Sequence, residues 1–314
     1  MAQSTTFAAS AITWRPSALV MRRLAFTAVI ANVGIVATGG LVRLTNSGLG
    51  CPDWPDCSGG SLVATGKVSW HKAVENTNRG LTIVVMAAVL AVFVAAYREL
   101  PARPAVRRWA WVTLLGVPAQ ALLGGITVLT HLNPWVVAGH FMLSMVLIAA
   151  ATVLWWRTRE PEAASSAPPP IVRRLGLATW GLTYAVFVVG TLVTGSGPHA
   201  GDATAARLHI RPAAISQLHA DLVMLLVGTA VSLAVCVTAV GGSVVARRAT
   251  RVLVGVLAAQ ATVGFAQYFS GLPIPLVELH VTGAAVLAAT VSAVVLALHP
   301  LQPATSPNPS KSAI

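Results

Sequence analysis

Eight apolar runs follow one another along this chain, and they constrain its fold more than any other feature of the sequence. A helix that crosses a bilayer needs about 20 consecutive, mostly apolar residues. We place the runs at about 22–42, 73–97, 107–129, 135–156, 174–195, 213–240, 250–270 and 276–298. Because lipid offers the backbone no hydrogen-bond partner, these runs predict an all-α integral membrane protein with eight transmembrane helices.

The composition excludes a soluble enzyme. Of the 314 residues, 55% are hydrophobic and only 10% are charged, and the mean hydropathy is +0.74. The net charge of +12 comes from 21 Lys and Arg against 9 Asp and Glu. These cations lie between the apolar runs, where they orient helices in a membrane, so we expect no nucleic-acid partner.

The distribution of Lys and Arg predicts the orientation of the chain. If the N-terminus is cytoplasmic, 15 of the 21 lie in inner segments: Arg15, Arg22, Arg23, Arg98, Arg103, Arg107, Arg108, Arg157, Arg159, Arg173, Arg174, Arg247, Arg248, Arg251 and Lys311. The outer side then holds six: Arg43, Lys67, Lys72, Arg79, Arg207 and Arg211. Since inner loops carry the excess of positive charge, we expect a multi-pass protein of the cell (plasma) membrane, surrounded by lipid, with both termini cytoplasmic. The first run is too long for a signal peptide and is expected to be retained.

The chain divides into two related halves. A stretch rich in Pro, Ala and Ser at 160–170 lies midway and predicts a cytoplasmic linker over 158–173, between an N-terminal half at 1–157 and a C-terminal half at 174–314. Shifts of 140 or 141 residues match the halves, pairing Gln120 with Gln260, Gly124 with Gly264, His140 with His280, and Asn78 with His219. Gly39 to Val42 similarly echoes Gly190 to Val193. With four spans in each half, we predict two pseudo-symmetric four-helix bundles in the same orientation, and therefore two similar sites.

Three of the eight histidines lie inside the apolar runs at places that the repeat matches. His140, His219 and His280 each lie four to six residues inside the outer end of an even-numbered run, and Asn78 occupies the equivalent place in the remaining even-numbered run. One intramembrane histidine could be a hydrogen-bonded packing residue, but three at matched depths favour a function. Facing imidazoles in a helix bundle can hold haem iron from both sides, so His219 and His280 predict a bis-histidine haem site. Zinc is the alternative metal, and it would need Asp221 or Glu278 as a further ligand.

The matching place in the first half pairs His140 with Asn78, and an amide is a poor iron ligand. Such a site suits a haem that must come and go, or one that takes a ligand from His71 or His131; it could also be a decayed copy. Glu75 lies three residues before Asn78 and therefore shares its helix face. The alternative for Glu75 is a cap at the N-terminus of the second helix.

Two loop motifs resemble the haem A synthase family. Residues 39–57 read GGLVRLTNSGLGCPDWPDC and resemble the first outer loop of that family, and residues 193–202 read VTGSGPHAGD and resemble its second-half motif. The eight spans, the duplicated halves and the helix-borne histidines extend the resemblance over nearly the whole chain.

The resemblance implies an oxidoreductase that converts haem O to haem A, the haem of cytochrome oxidase, by successive hydroxylations of the C8 methyl group and loss of water. It implies a haem b held by His219 and His280. It places the substrate, haem O, in the first half with Glu75, Arg79 and His140, and there Asn78 departs from the histidine of the family pattern. Glu75 would be the catalytic residue nearest the methyl group, as a proton acceptor or a stabilising negative charge.

The resemblance also implies a disulfide between Cys51 and Cys57, two of the three cysteines, which is either a structural staple or a bond that exchanges with a thiol partner. The implied partners are haem O, haem O synthase and an unidentified electron partner.

Two other classes of protein fit some of these features. A membrane electron carrier of cytochrome b type would use the paired histidines, although two complete sites would be expected. A haem transporter would fit the internal repeat, but only Pro118 breaks a predicted span at mid-membrane depth.

Overall fold

The computed structural model describes residues 14–57, 59–65, 68–159 and 168–299. Within these ranges it contains eight long helices, each apolar enough to cross a membrane. They are α1 (Ala18–Leu44), α2 (Trp70–Arg98), α3 (Pro104–Leu129), α4 (Pro134–Arg157), α5 (Pro170–Ser196), α6 (Pro212–Ala239), α7 (Val244–Phe269) and α8 (Ile274–Leu298). The predicted all-α fold with eight transmembrane helices is confirmed.

Every helix begins before its apolar run does, because polar and charged residues also form the first helical turn. Ser17, Ser69 and Ser243 each accept a hydrogen bond from a backbone N–H in the first turn, which caps α1, α2 and α7. Four other helices begin with proline, whose missing N–H costs nothing at that position. Helix α5 therefore includes residues 170–173, which the sequence analysis assigns to the linker at 158–173. Residues 160–167 of that linker lie outside the described ranges.

The surface of the helices suits a lipid environment. Large apolar side chains such as Phe269, Ile83 and Ile171 are 80%, 73% and 70% exposed. Water would disfavour so much exposed apolar surface on a soluble protein. Together with the eight spans, this surface describes a multi-pass membrane protein.

The helices pack in a regular order. Helices α1 to α4 form a closed ring of contacts, each touching the next and α4 returning to α1, and α5 to α8 do the same. Helix α8 also packs against α1 and α4, and α4 packs against α5. Whether these rings are two bundles related by symmetry stays a prediction from the repeat.

The loops at one end of the molecule are tied together. We call it the histidine end: α1, α3, α5 and α7 finish there, and α2, α4, α6 and α8 begin there. Arg43, near the end of α1, donates hydrogen bonds to the carbonyl oxygens of His199 (2.8 Å) and Thr194 (3.0 Å). The backbone N–H of Gly48 donates to the carbonyl oxygen of Gly201 at 2.9 Å. The two loops that carry the sequence motifs are therefore in direct contact.

Candidate functional site

A cavity of about 810 Å³ opens between the helices, and all eight of them contribute to its wall. It brings together the six residues that the sequence predicted for the two haem sites: Glu75, Asn78, Arg79, His140, His219 and His280. The two predicted sites are therefore parts of one continuous space.

His219 on α6 and His280 on α8 face each other across the second half of this cavity. Their ring centres are 6.4 Å apart, and the ring planes are inclined by 74°. Each ring lies against a glycine of a neighbouring helix: a Cβ added at Gly190 would lie 3.2 Å from Cε1 of His219, and one at Gly264 would lie 3.3 Å from Cε1 of His280. Both glycines leave room for an imidazole that a larger residue would displace.

The separation of the two rings fits an iron atom between them. A metal–imidazole bond of about 2.0 Å and about 1.1 Å from each bonding nitrogen to its ring centre place the two centres about 6.2 Å apart. The Nδ1 atoms of both rings are buried without a hydrogen-bond partner of normal geometry. The backbone of Val186 lies beside the His219 ring, and that of Gln260 lies beside the His280 ring. A haem iron would require the lone pair of one ring nitrogen from each of these histidines.

The zinc alternative finds no support in this geometry. No group of three or more His, Cys, Asp or Glu residues that could hold a metal ion occurs in the described part of the chain. Asp221 is exposed and accepts a hydrogen bond from Gln217, while Glu278 accepts one from Thr282 and does not line the cavity. A zinc site normally needs at least three protein ligands, so paired imidazoles around haem iron are the better interpretation.

His140 on α4 occupies the first half of the cavity in the same manner as His280 occupies the second. Its Nδ1 atom is buried without a partner. A Cβ at Gly124 would lie 3.0 Å from its Cε1 atom, and Gly124 is the residue that the repeat matches with Gly264. Asn78 on α2 accepts a hydrogen bond at its Oδ1 atom from the hydroxyl of Thr38 (2.7 Å).

The two other histidines considered for this half lie elsewhere. His71 is exposed at the start of α2, where its Nδ1 atom is 3.1 Å from the hydroxyl of Ser47. His131 is exposed in the turn after α3. Neither is among the residues that line the cavity.

Glu75 and Arg79 form an ion pair that holds the loop containing the two cysteines. Glu75 is only 4% exposed. Its Oε1 atom accepts from Nη2 of Arg79 at 2.6 Å, and its Oε2 atom accepts from the backbone N–H of Cys51 at 2.6 Å. Arg79 also donates to the carbonyl oxygens of Cys51, Asp53 and Asp56 at 2.8 to 3.1 Å. Since Ser69 caps α2, the alternative interpretation of Glu75 as the helix cap is wrong.

The cysteine loop is also part of the cavity wall. Cys51 and Cys57 form a disulfide, as the resemblance implied, and both are fully buried. Trp54 between them lines the cavity and packs so closely on α3 that a Cβ at Gly125 would lie 2.3 Å from its ring. Cys236 on α6 is a free cysteine outside the cavity lining. We did not identify Trp54, Thr38 or the glycine contacts from the sequence, although Gly124 and Gly264 were visible as a repeated pair.

The loop between α5 and α6 is organised by its own hydrogen bonds. The carboxylate of Asp202 accepts from the backbone N–H of Thr204 at 2.8 Å and from its hydroxyl at 2.7 Å. These hydrogen bonds, the backbone one first, hold the pKa of Asp202 below its ordinary value. The carboxylate therefore stays charged and fixes the turn that packs against the loop after α1.

The fold and the cavity define a class: a multi-pass membrane protein whose interior carries paired histidines suited to haem. The chain belongs to the COX15-CtaA family of cytochrome oxidase assembly proteins, whose sequence profile matches residues 22–81 and 73–292. The resemblance stated from the loop motifs is thereby confirmed.

Curated bacterial relatives named heme A synthase match part of the chain. The protein of Lysinibacillus sphaericus is 35% identical over 132 residues, which cover 41% of this chain and 42% of the relative. That of Geobacillus thermodenitrificans is 36% identical over 124 residues, covering 38% and 37%. That of Geobacillus kaustophilus is 33% identical over 106 residues, covering 34% and 32%. The matched segments thus span about two fifths or less of these relatives.

Proposed function

We propose that this protein is a haem A synthase, an oxidoreductase that converts the C8 methyl group of haem O to the formyl group of haem A. The observation that carries the proposal is the shared cavity. It holds one complete pair of facing imidazoles and one incomplete pair beside an ion-paired glutamate. An electron carrier would need only complete pairs, whereas an enzyme needs one haem that stays and one that is exchanged. The family and the heme A synthase relatives support the same choice.

In this proposal the second half, 174–314, holds the resident cofactor, haem b, between His219 and His280. Haem b, when bound, supplies one-electron redox chemistry beside the substrate. The protein's part is to fix both imidazoles: Gly190 and Gly264 lie against their Cε1 edges, and the backbone of Val186 and Gln260 lies beside the two rings. Rings held in this way resist rotation, which keeps a low-spin haem in one orientation.

The first half, 1–157, holds the substrate. His140 binds its iron, and Asn78, Arg79 and Glu75 line the same part of the cavity. Because Arg79 is tied to three carbonyl oxygens of the cysteine loop, it positions Glu75 as well as neutralising it. The loop with Trp54 closes this side of the cavity and keeps water from the methyl group.

Glu75 is the catalytic residue in this proposal. Oxidising a methyl group to an aldehyde replaces two C–H bonds by a C=O bond; written with water as the oxygen source it releases four protons and four electrons, and the electrons pass to the electron partner. A carboxylate beside that carbon can accept a proton or stabilise a developing positive charge. The same residue is buried and hydrogen-bonded, so its position is fixed before the substrate arrives.

We further propose that the two halves are separate four-helix bundles joined by the cytoplasmic linker at 158–173. Both termini lie in the cytoplasm, and the histidine end faces the opposite side of the plasma membrane. This placement puts the disulfide in an oxidising compartment and brings haem O, delivered from haem O synthase through the lipid, to the substrate half.

Analysis of extracted haems tests the function. The chain is expressed in a host that makes haem O but lacks its own haem A synthase, and the pigments are separated by liquid chromatography. We expect haem A to accumulate. Bound haem without haem A would support an electron carrier, and a change in haem distribution without either would support a transporter.

A further inference from the structure

The two halves present different side chains at one matched place in the cavity. In the second half, His219 lies over Gly190. The repeat matches His219 with Asn78 and Gly190 with Gly39. A Cβ added at Gly39 would meet no atom within 4 Å, whereas one at Gly190 would lie 3.2 Å from the imidazole. The asparagine therefore leaves open the space that an imidazole fills in the second half.

The orientation of the Asn78 amide is set by Thr38. The Thr38 hydroxyl donates to Oδ1 of Asn78 at 2.7 Å, the shorter of its two hydrogen-bond contacts. Thr38 occupies Oδ1, so the NH₂ group is the part of the Asn78 amide that remains available to an occupant of the cavity that Asn78 lines. An amide NH₂ donates hydrogen bonds but has no lone pair available for iron.

Among the described residues, no other side chain in this part of the cavity can replace the missing imidazole. Haem iron takes its protein ligands from His, Cys, Met and Tyr. Among the described residues that line the cavity, only His140, His219 and His280 belong to these types. His219 and His280 already face each other. Both carboxylate oxygens of Glu75 accept hydrogen bonds from Arg79 or Cys51.

We propose that the first-half site holds its haem iron by the imidazole of His140 alone and leaves the axial position beside Asn78 open to a diatomic ligand. The amide NH₂ of Asn78 donates a hydrogen bond to that ligand, and Thr38 keeps the amide in the donating orientation. This inference rests on the proposed function, because it requires a haem in the first half.

Carbon monoxide is the probe that tests the open position. The purified holoprotein, containing both haems, is reduced with dithionite and titrated with carbon monoxide while its visible spectrum is recorded. We expect one haem to bind carbon monoxide and the other to stay low-spin, because two imidazoles occupy both axial positions of the second. Asn78→His should abolish carbon monoxide binding and make both haems low-spin.

Three further variants keep the test independent of the folding of Asn78→His. His140→Ala should lose the carbon monoxide-binding haem and recover it when imidazole is added. Asn78→Leu should still bind carbon monoxide, because leucine is not a ligand, but the C–O stretching frequency should rise as the N–H donor is lost. Thr38→Val should shift that frequency in the same direction by a smaller amount.

The inference is overturned if a wild-type protein that holds two haems binds no carbon monoxide, or if Asn78→His binds it as the wild type does. It is also overturned if the protein, after incubation with excess haem O, still holds only a single haem that His219→Ala removes. Haem A formation by the same preparations separates this result from the proposed function. Conversion of haem O without carbon monoxide binding would leave the function standing, and carbon monoxide binding without conversion would overturn only the function.

Discussion

At the scale of single residues, the structure gives Glu75 two roles that the sequence alone could not join. It lines the cavity beside Asn78, and it ties α2 to the cysteine loop through Cys51 and Arg79. Glutamine can still accept the Cys51 N–H with its one oxygen but loses the ion pair with Arg79, so replacing a carboxylate that is only a structural tie would lower stability while leaving turnover of the folded protein nearly unchanged. Replacing a catalytic carboxylate would lower turnover as well.

We therefore expect Glu75→Gln to retain the second-half haem b and the disulfide but to lower haem A formation by about 10²-fold, the usual contribution of a positioned acid or base. Haem chromatography measures the product, and the visible spectrum reports the haem b. Ser69→Ala is the matched control: it removes the true cap of α2, costs about 1 kcal/mol and should leave turnover nearly intact. Near-normal haem A from a well-folded Glu75→Gln protein would assign Glu75 to the loop alone.

His219→Ala and His280→Ala should each abolish the stable low-spin haem b, since either change removes one of two axial nitrogens. Redox difference spectra of the purified variants measure this loss. His209→Ala, in the exposed loop before α6, is the control and should leave the spectrum unchanged. A bis-imidazole spectrum that persists in both cavity variants would show that the site lies elsewhere.

At the scale of helices, the site depends on small residues on one helix facing imidazoles on another. The positions of the eight helices followed from hydropathy, because apolar length is a property of the sequence alone. The glycine contacts could not be predicted in that way: Gly181 and Gly190 lie on the same helix, and only the packing shows that the first meets no side chain and the second meets His219. The repeat marked His219 and His280 as a pair, but their 6.4 Å separation required the fold.

Gly190→Val should displace the His219 ring and reduce the low-spin haem b content severalfold, because even the first added carbon would lie 3.2 Å from Cε1. Haem content per protein in purified samples is the measurement. Gly181→Val on the same helix adds the same side chain where no atom lies within 4 Å, so its haem content should match the wild type. Equal haem content in both variants would contradict the packing of α5 against His219.

The cysteine loop should carry its disulfide in the isolated protein. Mass spectrometry of unreduced, alkylated protein is expected to find Cys51 and Cys57 linked and Cys236 alkylated, as the structure has them. Finding Cys51 and Cys57 as free thiols in oxidised material would exclude both a structural disulfide and a disulfide that exchanges with a thiol partner.

At the scale of the whole molecule, the two sequence halves are joined at the histidine end by contacts that no periodicity reveals. In the sequence, Arg43 is only one of the six cations assigned to the outer side, yet it reaches across to one carbonyl oxygen in the last turn of α5 and one in the loop after it. Such a contact depends on the relative placement of two segments more than 150 residues apart in the sequence, which a local sequence pattern does not reveal.

Arg43→Met should destabilise the protein by about 1.5–3 kcal/mol for each charge-assisted hydrogen bond lost, since the carbonyl oxygens of Thr194 and His199 lose their donor. Thermal unfolding in detergent, followed by the loss of the haem spectrum, measures the change. Arg43→Lys keeps the charge and should restore part of the stability. Unfolding of Arg43→Met at the wild-type temperature would contradict a clamp between the loops.

The two proposed haem sites share one continuous cavity wall, to which all eight helices contribute side chains. A residue of that wall that moves when one site is occupied would also alter the border of the other. If substrate binding changes the affinity for the resident cofactor by some factor, cofactor binding must change the affinity for the substrate by the same factor. Loading of the cofactor and capture of the substrate would then be linked binding equilibria, so a change in one affinity could be measured through the other.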